Sequence, residues 1–325
     1  MNRIVTLLLC MLCVFVPAAA QKQLQSELSD PQAQAVQRLS VMSQQDEALD
    51  GVPYNGGFLR GRGCQPVSIA NGLIAAFGVE DRQTAIELVK EATQVLVVPW
   101  ERGTGRMELG RIVNLMSPEE RIAEAEEFPY LVALFEDYDG NIVALDEKLS
   151  ADMVQEHFAG RQSGMLVGDM QVHPDWTALL EIVDRLYAMD MKDAVMTLAS
   201  VGVGNEESRA PLSTGKNGHY LTLMLVVGSF VEEGRMYVLD SLPRALAGEE
   251  SGGELVLRQH YPFAKKKSGF AERFDARRIR ETVIELRVAD RAQWREADIK
   301  RKDRMLGPLI LYGPGILTIA WEQKK

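Results

Sequence analysis

The stretch from His219 to Asp240 limits the fold more than any other. Tyr220 to Val227 and Arg235 to Leu239 are apolar runs separated by a polar turn at Glu232-Glu233-Gly234. They read as two antiparallel strands joined as a hairpin. His219 stands at the entrance of the first strand and Asp240 at the exit of the second. Antiparallel pairing therefore brings both residues to one edge of a sheet, although 21 positions separate them in sequence.

A second constraint comes from Cys64. The chain has 325 residues and three cysteines. Cys10 and Cys13 fall in an N-terminal segment with Arg3, an apolar run from Ile4 to Val16 and Ala18-Ala19-Ala20. That pattern is a secretory signal peptide with a small-residue cleavage site, so 1–20 is expected to be removed and the protein to be secreted or periplasmic. The apolar run is too short for a stable span, and no later segment approaches the ~20 apolar residues that one needs. The mature chain keeps one cysteine, which rules out an internal disulfide framework and leaves a buried thiol, an intermolecular partner or a reactive group.

The local sequence favours reactivity. Tyr54-Asn55-Gly56-Gly57-Phe58 and Gly61-Arg62-Gly63 supply turn residues just before Cys64. Pro66 suits a first helical turn, Val67, Ile69, Ala70, Leu73, Ile74 and Phe77 have helical spacing, and Gly78 is the stop. Cys64 then sits at a helix N-terminus, where the backbone N–H groups and the positive dipole end favour thiolate. A thiolate nucleophile needs an imidazole to shuttle its proton, and the imidazole needs an acceptor that fixes its tautomer. His219 and Asp240 fill those roles by type and by order. His157, His173 and His260 stand apart without metal-ligand spacing, so no metal or cofactor is expected.

Elsewhere the pattern predicts a short helix at 31–43, helices at 81–97 and in two pieces over 107–127, and a hairpin of 131–135 with 142–145 across Asp139-Gly140. A strand at 165–172, a helix at 175–189 with an aspartate cap and a buried apolar stretch at 194–203 follow, with further strands at 255–259, 282–288 and 309–312. The net charge of −10 argues against a nucleic-acid or anionic-lipid binder. Against that background, residues 264–305 carry 14 Lys plus Arg and 8 Asp plus Glu. They read as a solvated helical face, or else as a surface for an acidic partner.

Gly-Cys-x-Pro-x-Ser-x-Ala at 63–70, Gly-His-Tyr-Leu-Thr-Leu at 218–223 and Tyr-Val-Leu-Asp-Ser at 237–241 resemble papain-like cysteine peptidases. The resemblance is nearest to the bacteriocin leader peptidase branch and its secreted relatives. It rests on short motifs covering about a third of the mature chain, and Gln65 departs from the glycine usual after the cysteine. It implies an α+β, papain-like fold, with a helical part packed on an antiparallel sheet. It also implies a glutamine upstream of the cysteine as oxyanion donor, for which Gln45 is the first candidate and Gln44 the second. The expected layout is a tail and short helix at 21–45, a catalytic core at 46–245 and a C-terminal α/β extension at 246–325. The expected activity is hydrolysis of a peptide or isopeptide bond in a peptide or protein substrate. The same triad serves a transglutaminase-like acyl transferase, and the same fold a non-catalytic binding protein.

Overall fold

The computed structural model describes residues 31–97, 106–107, 118–136, 141–171, 176–204, 219–241, 274–280, 283–288, 310–312 and 314–324. The expected signal segment, the expected tail before residue 31, the turn at 137–140 and the strand expected at 255–259 lie outside them. Helix α1 (Pro31–Arg38) belongs to a unit ending at Arg38, and all else described belongs to a second unit, Leu39–Lys325.

The second unit begins with an irregular segment and a 3-10 turn at Glu47–Leu49, then a small hairpin of β1 (Pro53–Tyr54) and β2 (Gly57–Phe58). Asn55 and Gly56 take φ of 50° and 67°, the pair of left-handed conformations that lets a two-residue loop match strand twist. Helix α2 (Leu59–Arg62) runs through Gly63 into α3 (Cys64–Phe77), which Gly78 ends at φ 67°. Helix α3 is apolar nearly all round and buried from Pro66 to Ala76, as a helix covered on several sides must be. Helix α4 (Arg82–Val95) packs beside it, followed by the short strands β3 (Leu96–Val97) and β4 (Arg106–Met107) and by helix α5 (Pro118–Glu127).

Residues 131–135 correct the expected hairpin. They belong to helix α6 (Pro129–Glu136), not to a strand. The buried Glu91 of α4 explains the choice, because its carboxylate accepts the N–H groups of Tyr130 (3.0 Å) and Leu131 (2.6 Å) in the first turn of α6. Those donors would otherwise be orphaned, and Pro129 at the start has no N–H to satisfy. Burial pushes the Glu91 carboxyl above its ordinary pKa despite these two bonds.

After α6 come β5 (Ile142–Lys148), α7 (Ala151–Phe158), β6 (Ser163–Gln171), α8 (Trp176–Ala188), β7 (Val195–Gly204), β8 (His219–Val226), α9 (Val227–Glu233) and β9 (Arg235–Asp240). The last strands are β10 (Phe274–Arg280), β11 (Val283–Val288), β12 (Ile310–Tyr312) and β13 (Pro314–Glu322). Among the described residues these form one nine-stranded sheet in the order β10-β11-β9-β8-β7-β13-β6-β5, with β12 pairing the far end of β7. The sheet is mixed rather than antiparallel throughout, because β5 pairs parallel with β6. Strand β13, the last in sequence among the described residues, lies between β6 and β7 and is interior to the sheet. The basic stretch departs from a helical face where it is described, since 274–280 and 283–288 are paired strands.

The turn expected between β8 and β9 is the helix α9, and Val227 opens that helix instead of closing β8. The N–H groups of Val227 and Gly228 donate to the carbonyls of Ala194 (3.0 Å) and Lys192 (2.8 Å), Phe230 is fully buried, and Gly234 at φ 67° closes the helix. The antiparallel pairing of β8 with β9 holds, with Leu221 opposite Asp240 and Met224 opposite Tyr237.

One sheet face carries the main core. Leu179, Leu180, Ile182, Val183 and Leu186 of α8 meet Met196, Leu198, Leu221, Leu223, Val238, Leu317 and Ile319. Each such side chain contributes about 1.5–3 kcal/mol by leaving water. The other face, through Thr197, Ala199 and Thr222, receives α3 at Gly72, where an added Cβ would lie 2.8 Å from that of Ala199.

His157 of α7 is buried against Phe158, their ring centroids 4.7 Å apart. Burial first, and the nearby Arg161 charge second, pull its pKa down to about 4. The unfolded chain takes up this proton near pH 6.5 and the folded one only near 4. The contribution to stability is therefore complete above 6.5 and is lost as pH falls from 6.5 to 4. Urea melts at pH 7 and pH 4.5 are expected to show an acid loss in the native protein that exceeds the loss in His157→Leu by roughly 2 kcal/mol. Equal losses in both would contradict the assignment.

Candidate active site

Cys64 is the first residue of α3 and is half-buried, with a free thiol. The N-cap is Gly63, which has no side chain to cap the helix, and Pro66 contributes no N–H, so only the other residues of the first turn can supply backbone donors there. Gly63 is required by space. An added Cβ there would lie 2.4 Å from Leu59 Cγ and 2.6 Å from the Leu59 carbonyl oxygen. Tyr54 of β1 is nearly buried, and burial together with the charge of Cys64 raises its phenol far above its ordinary pKa. It therefore stays protonated. Two open grooves flank the hairpin, one of about 660 Å³ lined by residues 53–58 and Thr93, the other of about 440 Å³ beside Asp50, Phe58, Arg60 and Arg62. Phe58, 62% exposed, separates them, and Cys64 lines neither.

A buried polar latch fastens α3 to β7 and β8. Thr222 Oγ1 donates to the Ser68 carbonyl at 2.6 Å, so its proton is spent, and Ser68 Oγ donates in turn to Thr222 Oγ1 at 3.0 Å. Ser68 Oγ also accepts the Ser200 backbone N–H at 2.9 Å. Gln65 Nε2 donates to Ser200 Oγ at 3.1 Å. Ser68 follows Cys64 by one helical turn, about 6 Å. Thr222 follows His219 by three strand residues, about 10 Å. Gly72, one turn further along α3, lies over Thr197 and Thr222, and Thr197 pairs with Met224. Helix and strand thus run in the same sense, so both begin toward the same end of the two packed layers.

Register fixes the relation of His219 to Asp240. Asp240 is opposite Leu221, and His219 is two residues before Leu221, so the two share one sheet face at neighbouring positions. That is the face of Leu221 and Val238, while α3 covers the face of Thr222. By register, therefore, α3 and the His219–Asp240 positions lie on opposite faces of the sheet. Asp240 is fully buried. Ser241 Oγ donates to the Tyr220 carbonyl at 2.6 Å, and the Ser241 carbonyl accepts the Gln44 N–H at 2.8 Å.

The segment carrying the glutamines is tied to the same helix. Asn71 of α3, fully buried, accepts the Met42 N–H at 2.8 Å and donates to the Met42 carbonyl at 2.9 Å. The amides of Gln44 and Gln45 both donate to the Arg60 carbonyl, at 3.0 and 2.9 Å, and Gln45 Oε1 accepts from Arg60 Nε at 3.1 Å. Each candidate oxyanion donor thus commits one of its two amide N–H bonds to α2, one turn before Cys64. Tyr54, Asn71 and Ser200 lie outside the motifs, and Ser68 and Thr222 lie within them without an assigned role. Ser68 and Asn71 carried a signal, being polar residues within an apolar helix, whereas Ser200 in an apolar strand carried a weaker one. Among the described residues no group of three His, Cys, Asp or Glu side chains is gathered for a metal, and no helix is long and apolar enough to cross a membrane. Comparison with protein-family models, with curated proteins and with solved structures finds no match to this chain.

Proposed function

We propose that this protein is a secreted or periplasmic thiol hydrolase with a papain-like core that cleaves peptide or isopeptide bonds. Cys64 thiolate attacks the amide carbonyl, forming a C–S bond, and His219 holds the proton taken from the thiol. The C–N bond then breaks as His219 delivers that proton to the leaving amine. Water, deprotonated by His219, attacks the thioester, releasing the acid and restoring the thiol. Asp240 orients His219, and the backbone donors at the start of α3 stabilise the oxyanion.

The observation that supports this reading is the Ser68–Thr222 latch, which ties α3 to β8 one helical turn after Cys64 and three strand residues after His219. The fully buried carboxylic residue at position 240, neighbouring His219 by register, supports it. The test is the rate of iodoacetamide alkylation of the mature protein from pH 4 to 9, repeated in His219→Ala. Fast labelling at pH 6 that falls about tenfold or more in the variant is expected. An ordinary thiol profile that the variant leaves unchanged would overturn the reading. A transferase is distinguished by adding an amine to the reaction and finding the acyl group on it instead of free acid.

A further inference from the structure

Strand β7 contains a bulge at the point where α3 crosses it. Leu198 pairs with Leu223 and Val201 with Leu221, so Ala199 and Ser200 together face the single residue Thr222. Leu198 and Val201 both lie in the main core, which leaves Ala199 and Ser200 together on the α3 side. Ser200 adopts φ 59° at 2% exposure. A non-glycine residue is sterically disfavoured in that region, and such strain persists only where the surroundings enforce it. Glycine would take the conformation freely but would supply no hydroxyl.

Both polar groups of Ser200 serve α3. Its N–H, released from the ladder by the bulge, donates to Ser68 Oγ, and its Oγ accepts from Gln65 Nε2. Gln65 and Ser68 are three residues apart, hence neighbours on one helix face. Two anchors on one face fix how the first turn of α3 is rotated about its axis, and Cys64 is in that turn. Gln65 is also where the chain departs from the glycine of the peptidase motif. Its side chain is directed to β7.

We infer that Ser200 and Gln65 form a positioning pair that sets the direction of the Cys64 thiol, with the β7 bulge as its rigid base. This rests on the thiol-hydrolase reading. Ser200 and Gln65 are positioning residues, acting through the first turn of α3.

The pair is tested by iodoacetamide labelling of the full mature chain across pH 4 to 9 in Ser200→Gly, Ser200→Ala, Gln65→Met and the double variant Ser200→Ala/Gln65→Met. Ser200→Gly relieves the φ strain while removing the hydroxymethyl group, and Ser200→Ala removes the hydroxyl alone, so together they separate positioning from folding. Expected results are thermal midpoints at or above the native value for Ser200→Gly, with labelling at pH 6 slowed about tenfold in every single variant and a pH–rate profile moved toward that of free cysteine. The double variant is expected to be no slower than either single one, as for two residues acting through one bond. If the native protein labels fast and Ser200→Gly and Gln65→Met label equally fast, the positioning pair is overturned while the hydrolase reading stands. If the native protein itself has an ordinary thiol profile, the hydrolase reading falls and the pair falls with it.

Discussion

Asn71→Ala is expected to destabilise the protein by roughly 3–5 kcal/mol, read as a lowered urea midpoint at unchanged m-value. The Asn71 side chain satisfies the N–H and the carbonyl of Met42 together, at 2.8 and 2.9 Å. Both ends of this contact are fully buried, with Asn71 and Met42 at 0% exposure. Truncation removes two hydrogen bonds and leaves two backbone groups in a site with little access for water, each worth about 1–3 kcal/mol when unsatisfied. Asn71→Asp separates the two halves, because a carboxylate accepts from the N–H but repels the carbonyl. It is expected to be as damaging as alanine at pH 7 and to recover part of the loss when protonated. A loss below 1 kcal/mol in Asn71→Ala would show that the segment carrying Gln44 and Gln45 is held by Ser241 and Arg60 alone.

The same contact shows why the sequence is legible in some places and not in others. Helix α3 announces itself through apolar spacing from Val67 to Phe77 and through Gly78, all local signals. The pairing of β8 with β9 is nearly local and was equally readable, with His219 and Asp240 at the shared end. The helix α6 was misread as a strand because its decisive partner, Glu91, lies about 40 residues earlier. A short apolar run such as 131–135 fits either period, and a remote carboxylate on two N–H groups settles it. The interior position of β13 is a pairing of Pro314 with Gln171 and Ile316 with Ala199, which no window of sequence contains. The bulge at Ser200 is likewise a property of register, invisible until β7 and β8 are aligned.

At the candidate site, residue types and order were legible while their fastening was not. Gln45 and Gln44 were chosen for an amide upstream of the cysteine, and that amide goes to the Arg60 carbonyl in both. The buried phenol of Tyr54, whose pKa is raised by burial first and by the charge of Cys64 second, is a neighbour that the motif did not suggest. Ser68, within the motif, is a latch to β7 and β8 and not a surface polar residue.

Gly63→Ala is expected to cost about 3 kcal/mol or more and to slow Cys64 alkylation at pH 6 about tenfold. The backbone at Gly63, φ −91° and ψ 12°, is open to any residue, so conformation is not the obstacle. Space is. The new methyl would meet Leu59 Cγ at 2.4 Å and the Leu59 carbonyl oxygen at 2.6 Å. Leu59 has no room to withdraw, being fully buried, with its N–H on the Val52 carbonyl at 2.9 Å and its carbonyl accepting the Gly63 N–H at 2.6 Å. Relief therefore requires opening the junction of α2 and α3, which carries Cys64 away from the end of β8. Gly61→Ala is the control, since a Cβ there meets nothing within 4 Å and alanine favours the helical turn it occupies. Gly61→Ala is expected to change stability by less than about 0.5 kcal/mol and leave labelling unaltered. If Gly63→Ala behaves like that control, Leu59 yields more readily than its contacts imply, and the thiol is oriented by the latch to β7 and β8 alone.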